Sequence, residues 1–103
     1  MLDFLKKLFS SEQTDYGQLV KDGAIILDVR SAGEFAGGHI RGSLNISVEK
    51  LGTNYHQLKK KKKPIITCCA SGMRSASAKS MLKANGFTEV YNGGSWRSLQ
   101  NKI

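Results

Sequence analysis

Pro64-Ile65-Ile66-Thr67-Cys68-Cys69-Ala70-Ser71-Gly72-Met73-Arg74-Ser75 carries the fold. Its first five residues form an apolar, β-branched run led by proline, the pattern of a buried strand. From about Ser75 to Ala84 the residues favour a helix, and Asn85-Gly86 stops it. A strand that passes through a short loop directly into a helix leaves Cys69 at a helix N-terminus. Backbone N–H groups without intrahelical partners point at the sulfur there, the helix dipole favours negative charge, and Arg74 adds a fixed cation. All three stabilise thiolate over thiol. Such a thiolate is a nucleophile, and the same N–H groups would hold an oxyanion or the outer sulfur of a persulfide on Cys69.

Outward from that centre the chain alternates in character. A helix over about Asp15 to Lys21 stops at Asp22-Gly23, and the strand Ala24-Ile25-Ile26-Leu27 runs into Asp28. Ser31 to Phe35 gives one helical turn, broken by Gly37-Gly38, and Leu44-Asn45-Ile46 a brief second strand. Ser47 caps a helix through about Leu58. Beyond the Cys69 unit, Val90-Tyr91 is a last short strand, Gly93-Gly94 a turn, and Ser95 to Lys102 a final helix. Strands and helices in this order specify an α/β domain with a mainly parallel sheet covered on both faces. Ligands bind such sheets at the carboxyl ends of the strands, where the Cys69 loop lies.

The 103 residues are enough for one small domain. The two cysteines are neighbours, which rules out a structural staple between them and points to a reducing compartment. Met1 to Phe9 lacks the apolar core and cleavage site of a leader, so a cytoplasmic location is expected. Residues 1–13 are expected to form an amino-terminal helical extension, with Leu2, Leu5, Leu8 and Phe9 at helical spacing against the domain rather than in a membrane. Sixteen Lys and Arg against eight Asp and Glu give a net charge of +8, and Lys59 to Lys63 form an uninterrupted run, read as a solvated loop. The field favours small anions and weakens with salt. No basic stripe interleaved with aromatics is present, so nucleic acid is not an expected partner. Two histidines and two adjacent cysteines do not have ligand spacing, so no metal and no cofactor are expected.

Four segments, taken together, resemble the single-domain rhodanese family of sulfurtransferases. They are Leu27-Asp28-Val29-Arg30; Glu34-Phe35 with Gly38 to Ile46; Cys69 to Ser75; and Gly93-Gly94 with Trp96. The resemblance covers about residues 14 to 100, with residues 14–103 as the rhodanese-like domain, and the Cys-x-x-Gly-x-Arg-Ser loop is its most specific part. It implies a five-stranded parallel sheet flanked by helices and a double displacement through a Cys69 persulfide. Thiosulfate or a similar sulfane donor would load the sulfur, and cyanide or a thiol, a protein thiol included, would accept it. The N–H groups of Ala70, Ser71, Gly72, Met73, Arg74 and Ser75 would bind the charged sulfur. Gly72 suits a curled loop. Ser75 would start and cap the helix, and Arg74 would either meet substrate or pair with an acid, Glu34 being one candidate. A monomer is expected.

Two other readings compete. The first is a phosphatase or arsenate reductase using Cys68 or Cys69: counted from Cys68, the spacing Cys-x5-Arg-Ser is that of cysteine phosphatases, including rhodanese-fold phosphatases of the Cdc25 type. Against it, Thr67 stands where those phosphatases carry histidine, and no acid-donor segment appears. A non-catalytic binding module is the other, and the intact Cys69 speaks against it. Asp28 and Arg30, at the end of the first core strand, are read as supporting residues that hold neighbouring loops. His39 pins a tight turn, His56 is solvated, Trp96 covers the core, and Cys68 is a small buried apolar group.

Overall fold

A computed structural model describes residues 14–103; the helix expected over residues 1–13 lies outside the described residues. Four parallel strands build the sheet: β1 (Ile25–Asp28), β2 (Leu44–Asn45), β3 (Ile65–Cys69) and β4 (Val90–Ser95), in spatial order β2-β1-β3-β4. Around it lie α1 (Tyr16–Lys21), α2 (Ala32–Ala36), α3 (Tyr55–Lys61), α4 (Met73–Ala84) and α5 (Trp96–Gln100). The family resemblance implied five strands, whereas the sheet has four among the described residues. Ahead of β1, α1 is capped by the Asp15 carboxylate, which accepts from Gln18 N–H at 3.0 Å.

The central strand β3 is buried at every position, and its side chains alternate between two cores. Ile65 and Cys69 pack with Leu27, Leu51, Leu58 and Leu82 beneath α3 and α4. Ile66 and Cys68 pack with Ile26, Ile40 and Leu99 beneath α1 and α5. Each fully buried Leu or Ile stabilises the fold by about 2 kcal/mol relative to exposure, so both faces must be covered.

Three local expectations are corrected. Ser47 makes no side-chain cap, and the chain from Val48 to Asn54 is a 3₁₀ helix that becomes α-helical only at Tyr55. Thr53 Oγ1 and Asn54 Nδ2 each donate to the Lys50 carbonyl at 2.9 Å, competing for the acceptor an α-helix would use. The lysine run is not a loop throughout: Lys59 to Lys61 are the last turn of α3, where cations complement the helix dipole, and Lys62 caps it with φ 51°. Gly93-Gly94 is not a turn but part of β4, beside a register shift between Thr67 and Cys69. A Cβ on Gly93 would sit 2.9 Å from Ile66 Cγ2, Leu99 Cδ2 and the Thr67 carbonyl, so only glycine lets β4 approach β3 here. Among the described residues no helix is long and apolar enough to cross a membrane.

Candidate active site

Cys69 is the last residue of β3 and has no exposed surface, while Ala70 and Ser71 beyond it are exposed. The loop closes at Gly72, the N-cap of α4, with φ 105°, a conformation that favours glycine. As glycine carries no side-chain oxygen, the first-turn N–H groups of α4 are left for another acceptor, and the cysteine sulfur takes that place. Cys69 Sγ accepts from Gly72 N–H at 3.0 Å and from Ser75 N–H at 3.4 Å, and lies 3.5 Å from Ser75 Oγ. Burial pushes the thiol up. Hydrogen bonding with the Ser75 side chain and from the N–H groups of Ser75, Gly72 and Ser71 outweighs it, so the net shift is below the ordinary thiol value.

Ser75 does not start or cap the helix as expected. It is the third residue of α4, fully buried, with its hydroxyl 2.7 Å from Asn92 Oδ1 and 3.0 Å from the Gly72 carbonyl. Met73 projects outward, 79% exposed, and Arg74 is engaged by Glu34. The Arg74 guanidinium forms a two-pronged pair with Glu34, Nη1 to Oε1 at 2.7 Å and Nη2 to Oε2 at 3.0 Å. Those bonds, with the Ser31 backbone N–H, hold the Glu34 carboxyl down to about 2. Of the two roles open to Arg74, the structure shows the pair, which ties α4 to α2. Glu34 also closes a capping box with Ser31.

Asp28 and Arg30 sit beneath this layer as a buried pair. Arg30 Nη2 donates to Asp28 Oδ2 at 2.7 Å and to the Gly38 carbonyl at 2.7 Å, and its guanidinium lies 4.9 Å from the Trp96 ring centroid. The Asp28 hydrogen bond raises the Arg30 pKa further against the lowering effect of burial, so the cation is permanent and wholly engaged. Trp96 is half-buried between Arg30 and Arg97, His39 bonds the Phe35 carbonyl through Nδ1 at 2.7 Å while stacking on the Phe35 ring, and His56 is exposed. Among the described residues no cluster of three or more His, Cys, Asp or Glu could hold a metal.

Cys68 points the other way. It is enclosed by the second core, and burial, reinforced by Asp28 and only partly offset by Arg30, pushes its thiol up to about 12. The sequence reading missed Asn92 and Thr67. Asn92 Oδ1 meets Ser75 and also accepts from Gly94 N–H at 3.0 Å, and Thr67 Oγ1 donates to the Ser75 carbonyl at 2.9 Å. The one signal for Asn92 was a polar residue interrupting an apolar strand just before Gly93-Gly94.

A family model described as a rhodanese-like domain matches residues 12–101. The chain belongs to the rhodanese-like family. It is 39% identical over 69 residues to YqhL, an uncharacterised protein of Bacillus subtilis, covering 67% of this chain and 54% of that one. It is 37% identical over 70 residues to the thiosulfate sulfurtransferase GlpE of Stutzerimonas stutzeri, covering 68% of this chain and 63% of GlpE. This chain thus spans between half and two thirds of the length of such relatives. Among solved structures, the human single-domain sulfurtransferase TSTD1 superposes with a TM-score of 0.69 at 29% identity, over 84% of this chain and 89% of that one.

Proposed function

We propose that this rhodanese-like domain is a sulfurtransferase that carries a sulfane sulfur on Cys69. The observation that carries the reading is the convergence of Gly72 and Ser75 N–H groups on Cys69 Sγ at the head of α4. In the first half-reaction the Cys69 thiolate attacks the outer sulfur of thiosulfate or a similar donor. An S–S bond forms, the donor's own bond to that sulfur breaks, and the leaving group, sulfite in the case of thiosulfate, departs with the electron pair. In the second, cyanide or a thiolate attacks the outer sulfur of the persulfide and the Cys69 thiolate leaves, regenerating the enzyme. In both, charge stays near the Gly72 and Ser75 N–H groups, which the head of α4 already aims at the sulfur. Because Cys69 has no exposed surface with the loop closed, the donor enters as the exposed Ala70-Ser71 arm gives way. The enzyme works in the cytoplasm, as a monomer, with no metal or cofactor in this chemistry.

Intact-mass measurement after incubation with thiosulfate tests the proposal. Wild type and Cys68→Ser should each gain the mass of one sulfur, removable by cyanide with release of thiocyanate, and Cys69→Ser should gain none. Loading of Cys69→Ser would overturn the assignment of the nucleophile. No loading of any variant by thiosulfate or by an organic persulfide, with hydrolysis of a phosphate ester instead, would favour the phosphatase reading.

A further inference from the structure

Ser75 Oγ is placed among three groups that each want its single proton. Asn92 Oδ1 is at 2.7 Å, the Gly72 carbonyl at 3.0 Å, and Cys69 Sγ at 3.5 Å. The Asn92 amide cannot present its NH₂ to Ser75, because the same corner of the amide accepts from Gly94 N–H at 3.0 Å, which fixes the oxygen there. Two oxygens 2.7 Å apart require a proton between them, and the hydroxyl of the fully buried Ser75 supplies it. While Cys69 is a thiol the arrangement is consistent: S–H donates to Ser75 Oγ, and Ser75 O–H donates to Asn92. Once Cys69 ionises, its sulfur becomes a third acceptor. Turning the Ser75 proton toward it leaves Asn92 Oδ1 facing bare lone pairs.

The geometry points to Asn92 as a positioning residue that draws the Ser75 proton away from Cys69 and so favours the thiol form of the resting enzyme. The thiolate is then held by backbone N–H groups, which cannot turn away, while the hydroxyl is withheld. Among the described residues, the charged or titratable groups acting on Cys69 include Arg74 on α4, neutralised by Glu34, and Cys68 within β3. This inference rests on Cys69 as the reactive thiol of the proposed reaction and on nothing about the sulfur donor, so its test needs no donor.

The ultraviolet absorbance of the thiolate, followed against pH, reads the Cys69 midpoint directly, since Cys68 is pushed up to about 12. Asn92→Leu, of similar shape but without an acceptor, should lower the midpoint, giving about tenfold more thiolate below it, the value of a hydrogen bond to a charged group. Alkylation by iodoacetamide near neutral pH should quicken in proportion. In a Ser75→Ala background the same substitution should do nothing. An unchanged or raised midpoint in Asn92→Leu would overturn the inference, and so would an equal downward shift in the Ser75→Ala background, which would place the effect in the Gly94 contact. Should Asn92→Leu fail to fold, the wild type decides by nuclear magnetic resonance. The Asn92 side-chain carbonyl signal should move with Cys69 ionisation in wild type and stay still in Ser75→Ala; a signal that ignores ionisation, or that moves equally in both, sinks the idea.

Discussion

Cys68 and Cys69 are consecutive residues of one strand, both without exposed surface, yet their thiols are driven in opposite directions. Strand alternation sends Cys68 into the core beneath α1 and α5 and Cys69 into the end of the core beneath α4. Burial opposes ionisation on both faces. A permanent cation, Arg30, does lie near Cys68, but it is engaged by Asp28, whose charge acts the other way. Cys69 instead meets N–H groups that the helix start leaves without partners. Hydrogen bonds from the Ser75 side chain and the backbone N–H groups together outweigh burial where a neutralised ion pair does not, and that difference separates a nucleophile from a core residue one position away.

The comparison breaks most sharply at the sulfur atoms. Cys69→Ser should abolish sulfur loading altogether while leaving the thermal midpoint close to wild type, because its environment already supplies donors to an oxygen. Cys68→Ser should keep loading but lose about 1–3 kcal/mol of stability, since a hydroxyl in that apolar pocket lacks the partners a sulfur does not need. Denaturant titration together with intact mass separates the two; equal stability losses would mean that the faces are not as different as their contacts.

Gly93→Ala probes the support beneath both thiols. Its methyl would enter space already bounded at 2.9 Å by Ile66, Leu99 and the Thr67 carbonyl, so β4 must move away from β3. Overpacking of this kind costs about 1–3 kcal/mol, so the thermal midpoint should fall. A variant with wild-type stability would show that β4 has slack there.

Most of what positions Cys69 was legible because it depends on local pattern. The apolar run ending in a thiol, the glycine three residues on and the helical residues after it fix the direction of the N–H groups without any tertiary contact. The strand alternation that separates the thiols is equally local. Asn92 was not legible, because its partner Ser75 is reached only through the pairing of β4 with β3, whose register shifts beside Gly93-Gly94, and Thr67 was not, because its hydroxyl meets the Ser75 carbonyl only once α4 packs back on β3. The 3₁₀ stretch after Ser47 was hidden by side chains that compete for one backbone carbonyl, an effect that propensity does not register. The expectation of a fifth strand came from family resemblance and not from any segment of the described chain.

A smaller effect sharpens the comparison of cations. Glu34 is held down to about 2 by Arg74, so its folded-state value lies below its unfolded one. The stability it contributes is therefore fully present above the unfolded carboxyl range near 4.5 and is lost as pH falls toward about 2. Glu34→Gln should lower the melting temperature slightly at neutral pH, and the gap to wild type should close over that acidic window; a constant gap would assign the loss to the capping box rather than to charge. The pair is exposed to solvent and its effect on the fold is modest, but releasing Arg74 should restore a free cation at the mouth of the loop. Loading by dianionic thiosulfate should then gain severalfold in kcat/KM, fading as salt is added, whereas loading by an uncharged sulfur donor should not change. If both donors respond alike, Arg74 acts through the shape of the loop and not through its charge.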